Sequence, residues 1–138
     1  MSERLQLQHH LCFKLYTGSR LMQRIYRPYF EQWGITYPQY LVLVCLWQRD
    51  GLSVGELADP LDLDSGTLSP LLKRMEERGF VRKEHVDSDF RKVHVFLTDK
   101  GAELRPKALV MQETLKHELG LAADDLESLE RIMAKLTS

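Results

Sequence analysis

The chain has 138 residues, 43% hydrophobic and 28% charged, which fits one ordinary soluble domain with enough length for a core. No apolar run approaches a membrane span and the start, Met1-Ser2-Glu3-Arg4, lacks a signal-peptide pattern, so a cytoplasmic protein without a membrane partner is expected. A net charge of −1 excludes a non-specific coating protein for nucleic acid and directs attention to how the charges are distributed.

From about Leu5 to Trp33 the pattern is one long helix. Leu5, Leu11, Cys12, Leu15, Met22, Ile25, Tyr26 and Tyr29 form a broad apolar face that Gly34 ends. Pro28 inside it predicts a bend or a tightening of the last turns. This face has more apolar surface than a small domain can cover, which implies a subunit interface. Tyr37-Pro38-Gln39-Tyr40 opens a second helix, Tyr40 to Gln48, with Leu41, Val44, Cys45 and Trp47 as its core.

Ser53 to Ala58 reads as a short capped helix, followed by a turn through Pro60 to Asp64. In the next helix Leu68, Leu71, Leu72 and Met75 recur at helical spacing. Asp64 or Ser65 can cap its start, and Gly79 stops it just past Arg78. Two short helices joined by a brief turn make a helix-turn-helix. Phe80 to Val86 and Lys92 to Leu97 then read as strands joined through the polar turn Asp87-Ser88-Asp89-Phe90-Arg91. His85 and His94 would pair across that hairpin. After it Thr98 caps a long helix containing Pro106, where a kink is expected. Gly120 closes that helix, and Asp124 to Leu136 forms a last amphipathic one.

The fold expected is therefore mainly α with a small β-hairpin wing (α+β), a winged helix-turn-helix flanked by terminal helices. It is one domain over residues 1–138, with N-terminal helices over about 5–50, the winged motif over about 53–97 and C-terminal helices over about 98–138. The terminal helices are expected to pair with those of a second copy, giving a homodimer.

Such a motif binds double-stranded DNA. The polar face of the second motif helix carries Ser65, Gly66, Thr67, Ser69, Pro70, Lys73 and Arg74. Small residues at the helix start allow close approach to a phosphate or base edge, and long cations further along reach the backbone. Arg91 and Lys92 at the wing tip suit a narrow minor groove. From Ser65 to Lys92 seven Lys/Arg face five acids, a local excess of +2, whereas Glu103 to the end carries −2.

Cys12 stands out because Tyr16 lies one helical turn away, and a phenol can donate a hydrogen bond to a thiolate. A thiolate that attacks a peroxide oxygen becomes a sulfenic acid, open to a mixed disulfide with a small thiol. Leu11, Phe13 and Leu15 around it favour alkyl or lipid hydroperoxides. Cys45, between Val44 and Leu46, reads as unreactive core. His9 and Cys12 share a face, but no third ligand has suitable spacing, so no metal and no cofactor are expected.

The sequence resembles the MarR family of dimeric winged-helix regulators. Within it the chain looks like the OhrR group, repressors that sense organic hydroperoxides. The matching residues are Leu11-Cys12-Phe13, Leu15-Tyr16, Tyr26-Arg27-Pro28, Ile35-Thr36-Tyr37-Pro38-Gln39-Tyr40 and Leu63-Asp64-Ser65-Gly66-Thr67-Leu68. Pro70 to Glu76 and the wing residues Asp87, Asp89 and Arg91 also match. The resemblance implies that Cys12 is the peroxide-reactive thiol with Tyr16, Tyr26 and Tyr37 near it. It also implies that Ser65 to Arg74 enter the major groove and Arg91 the minor groove. No resolving cysteine stands in the C-terminal helical region, so a single-cysteine mode is implied, and Pro60 departs from the usual pattern at the end of the first motif helix.

Tyr26 follows Cys12 by fourteen residues on one helix, about 21 Å at 1.5 Å per residue, so it can serve Cys12 only from the other subunit. The function expected is a repressor that releases its operator when Cys12 is oxidised, and not an enzyme. The alternative is a regulator released by a non-covalent lipophilic or aromatic ligand, with Cys12 a bystander.

Overall fold

The computed structural model describes residues 5–86 and 92–137. The readings at Asp87, Asp89 and Arg91 lie outside them. Two compact units divide the chain, Met1–Ala102 and Glu103–Ser138. No helix among the described residues is long and apolar enough to cross a membrane.

A 3-10 turn at Leu7–His9 comes before α1 (Leu11–Trp33). The expected helix from Leu5 is thus corrected: His10 is extended (φ −87°, ψ 124°) and is the N-cap, so the helix starts at Leu11, one residue before Cys12. His9 and Cys12 therefore do not share a helix face. Helix α1 runs through Pro28 and ends at Gly34 in the left-handed region (φ 74°), where glycine carries no Cβ penalty.

Helix α2 (Tyr37–Gln48) starts three residues earlier than expected, because Thr36 and Gln39 form a capping box with Pro38 in the first turn. Its buried side chains are Gln39, Tyr40, Val42, Leu43 and Leu46, whereas Leu41, Val44, Cys45 and Trp47 are only half-buried. The face was misread because α2 is apolar almost all round, and periodicity selects no side of such a helix.

Strand β1 (Leu52–Ser53) leads directly into α3 (Val54–Leu61), which Ser53 and Glu56 cap reciprocally. Pro60 fits in its last turn, and Asp62 then takes a left-handed conformation (φ 54°). Helix α4 (Ser65–Glu77) buries Leu68, Leu71, Leu72 and Met75, the four positions expected. At Gly79 (φ 83°) the chain reverses, and the Phe80 amide donates to Met75 O at 2.9 Å.

Strands β2 (Val81–Glu84) and β3 (His94–Leu97) are antiparallel with Val81 opposite Leu97 and Glu84 opposite His94. The expected hairpin gains a third strand: β1 pairs with β3, giving the order β1-β3-β2. Two residues are too short a run for alternation to reveal. The histidines do not pair across the hairpin. His94 Nδ1 donates to Gly51 O at 2.9 Å and His85 Nδ1 to Lys92 O at 3.2 Å.

Thr98 caps α5 (Asp99–Leu119), accepting from the Gly101 amide, and α5 continues helical through Pro106 from the first unit into the second. In the second unit Gly120 ends α5, and α6 (Ala123–Thr137) exposes Leu126, Leu129, Met133 and Leu136 along one stripe.

Candidate DNA-reading surface and thiol site

The apolar side of α4 fixes which side is presented. With Leu68, Leu71, Leu72 and Met75 buried, Ser65, Gly66, Thr67, Ser69, Pro70, Lys73 and Arg74 are all exposed. Pro70 brings no amide to the Gly66 carbonyl four residues earlier, so that helical bond is missing on this surface. Asp64 accepts from the Thr67 amide at 2.7 Å and caps the helix. The Thr67 amide and hydroxyl beside it hold the Asp64 carboxyl below the ordinary carboxylate range. Lys92 is exposed beside the sheet; Arg91 lies outside the described residues.

A depressed carboxyl contributes stability that is present above its unfolded pKa and lost as pH falls through the folded one. Asp64→Ala is therefore expected to remove protection from the Thr67 amide in hydrogen exchange at neutral pH and to weaken DNA binding. Asp64→Asn should keep the cap and lose its dependence on acid. Unchanged Thr67 protection in the alanine variant would rule the cap out as what orders this end of α4.

Cys12 is exposed in the first turn of α1. Tyr16, one turn on, is 62% exposed, and Arg20 lies over its ring at 5.6 Å from the centroid. Tyr26 and Tyr37 sit elsewhere. Tyr26 is buried with its ring 5.5 Å from Tyr37, edge to face, and stacked on Phe30 at 5.2 Å. Tyr40 completes the cluster, 5.0 Å from Phe30 and 5.8 Å from Tyr26. Burial first, and then Tyr26 beside it, push the Tyr37 phenol up, so it stays a proton donor.

The structure places Cys12 and Tyr16 one turn apart on α1 and packs Tyr26 against Tyr37, but does not bring the two pairs together. Continuous α1 keeps Cys12 and Tyr26 about 21 Å apart. Phe30 and Tyr40 were missed in the sequence. The spacing Tyr26-Phe30-Trp33 on one helix and Tyr37-Tyr40 on the next carries that cluster. Burial pushes the Cys45 thiol up, in keeping with an unreactive group. Among the described residues no group of three or more His, Cys, Asp or Glu could hold a metal ion.

The MarR family pattern matches residues 35–93. The organic hydroperoxide resistance transcriptional regulator of Bacillus subtilis is 40% identical over 134 residues, 97% of this chain and 89% of that protein. The chain belongs to the MarR family. Among solved structures, overoxidised AbfR bound to DNA matches this MarR-family chain with a TM-score of 0.83 and 34% identity, covering 98% of this chain and 96% of that one. Reduced AbfR bound to DNA matches with 0.78 and 34%, covering 99% of each chain. AbfR is a protein of Staphylococcus epidermidis. MarR-family membership accounts for the helix-turn-helix, the wing and the exposed α4 face, and it makes the chain a transcriptional regulator, not an enzyme.

Proposed function

We propose that this chain is a homodimeric DNA-binding repressor that senses organic hydroperoxides through Cys12 and leaves its operator once that thiol has reacted. The observation that carries the reading is the division of the site. An exposed thiol with Tyr16 stands near the start of α1, and a pair of packed phenols, buried Tyr26 toward its far end and half-buried Tyr37 at the start of α2, lies apart from it. A two-fold axis would complete both halves at once. The uncovered apolar residues support a second copy: Leu5, Leu7 and Leu11 in one unit, Leu126, Leu129, Met133 and Leu136 in the other.

The Cys12 thiolate attacks the terminal peroxide oxygen, forming an S–O bond as the O–O bond breaks. The alkoxide leaves and takes a proton, becoming an alcohol, and Cys12 becomes a sulfenic acid. Tyr37, kept protonated, and Tyr26 donate hydrogen bonds toward the sulfur and the departing oxygen. A small thiol then condenses with the sulfenic acid, giving a mixed disulfide and water. AbfR is found on DNA both reduced and overoxidised, and separately in a disulfide form, so in that protein oxidation as such does not exclude DNA binding.

In a binding assay with its operator, the wild type should be released by cumene hydroperoxide with a small thiol, and Cys12→Ser should stay bound. Equal release of Cys12→Ser would favour a non-covalent ligand and sink the redox reading.

A further inference from the structure

The link between α1 and α2 is tied at both ends. Gly34 closes α1, the Ile35 amide donates to Phe30 O at 3.0 Å, and Thr36 with Gln39 locks the start of α2 one residue before Tyr37. Ile35 is buried. These few residues cannot move without Tyr37, and Phe30 just before them stacks on Tyr26. Within this link the Gly34 carbonyl accepts from Arg78 Nη1 at 3.0 Å, a bond spanning 44 residues.

Arg78 is the C-cap of α4, and its backbone is held firmly. Its amide donates to Arg74 O at 3.0 Å, Lys100 Nζ donates to Arg78 O at 2.8 Å, and the Thr98 hydroxyl donates to Gly79 O. Its side chain is exposed and reaches back to the α1–α2 link. One residue thus belongs by its backbone to the end of α4 and is tied by its guanidinium to the α1–α2 link that leads into Tyr37.

We propose that Arg78 is a positioning residue that couples the Tyr26–Tyr37 cluster to α4, so that a displaced Tyr37 either drags the C-terminal end of α4 or breaks the Arg78–Gly34 bond. The proposal rests on the peroxide reading for its trigger but not for its geometry. Apolar packing between α2 and α4 remains when the bond is removed, so the variants should fold. Arg78→Met keeps the stem and removes the donor; Arg78→Lys keeps a donor and should rescue in part.

Two measurements test it. In the first, the ratio of oxidised to reduced Kd for DNA, on the order of 5–150 for coupled sites, should fall below about 3 in Arg78→Met with reduced affinity unchanged. Mass spectrometry should show Cys12 modified to the same extent in both proteins. In the second, reduced protein carrying 3-fluorotyrosine at position 37 should shift its fluorine resonance when DNA binds, and should not do so with Arg78→Met, because coupling is reciprocal. A wild type that peroxide does not release, with the fluorine shift present and Arg78-dependent, would overturn the peroxide reading and uphold the link. A fluorine shift surviving in Arg78→Met, or an unchanged Kd ratio, would overturn the link. Loss of reduced affinity with a flatter salt dependence would make Arg78 a phosphate contact instead.

Discussion

DNA affinity is expected to fall by about four orders of magnitude between about 50 and 200 mM salt. Four cations per chain lie on or beside the reading surface: Lys73 and Arg74 on α4, Lys92 beside the sheet, and Arg91 from the sequence reading. Doubled in a dimer, they neutralise on the order of eight phosphates, and the released counterions give a slope of log affinity against log salt of about −7. Lys73→Ala should flatten that slope by about 2, one contact from each subunit. The formal charge of −1 makes this a sharp expectation, because attraction from the whole molecule cannot produce it. A slope near −2 would mean that these side chains do not meet the backbone as a set.

The winged helix was legible in the sequence because its signals agree with one another. The spacing of Leu68, Leu71, Leu72 and Met75 gives the buried face of α4 and Gly79 its end, and both hold, whereas the sequence leaves the cap open between Asp64 and Ser65 and the fold makes it Asp64. Strand β1 was not legible, since a two-residue strand exists only through its partners Val95 and His94 on β3. The core face of α2 was not legible either, because a helix buried nearly all round shows no preferred side. At the thiol site, Cys12 and Tyr16 could be paired by helical spacing alone, whereas Tyr37 could not be placed. It lies beyond Gly34 on another helix, and only the fold sets its ring 5.5 Å from that of Tyr26. The Arg78–Gly34 bond, spanning 44 residues, leaves no periodic trace at all.

The reactive site should be built twice per dimer, each copy taking Cys12 and Tyr16 from one chain and Tyr26 and Tyr37 from the other. The fold rules out the same-chain alternative. Helix α1 is continuous from Leu11 to Trp33, so fourteen residues separate Cys12 from Tyr26 by about 21 Å, and no side chain spans that gap. Tyr37 goes with Tyr26 because their rings touch. Losing the phenols should then slow oxidation of the partner's thiol and leave the chain's own thiol unaffected. The direct measurement is the rate of Cys12 oxidation in a mixed dimer, with Cys12→Ser on one chain and Tyr26→Phe plus Tyr37→Phe on the other. The remaining Cys12 sits on the tyrosine-mutant chain and meets intact phenols only from its partner. Oxidation at the wild-type rate is the expected result; a rate as slow as that of the homodimer lacking both phenols would place the whole site within one subunit.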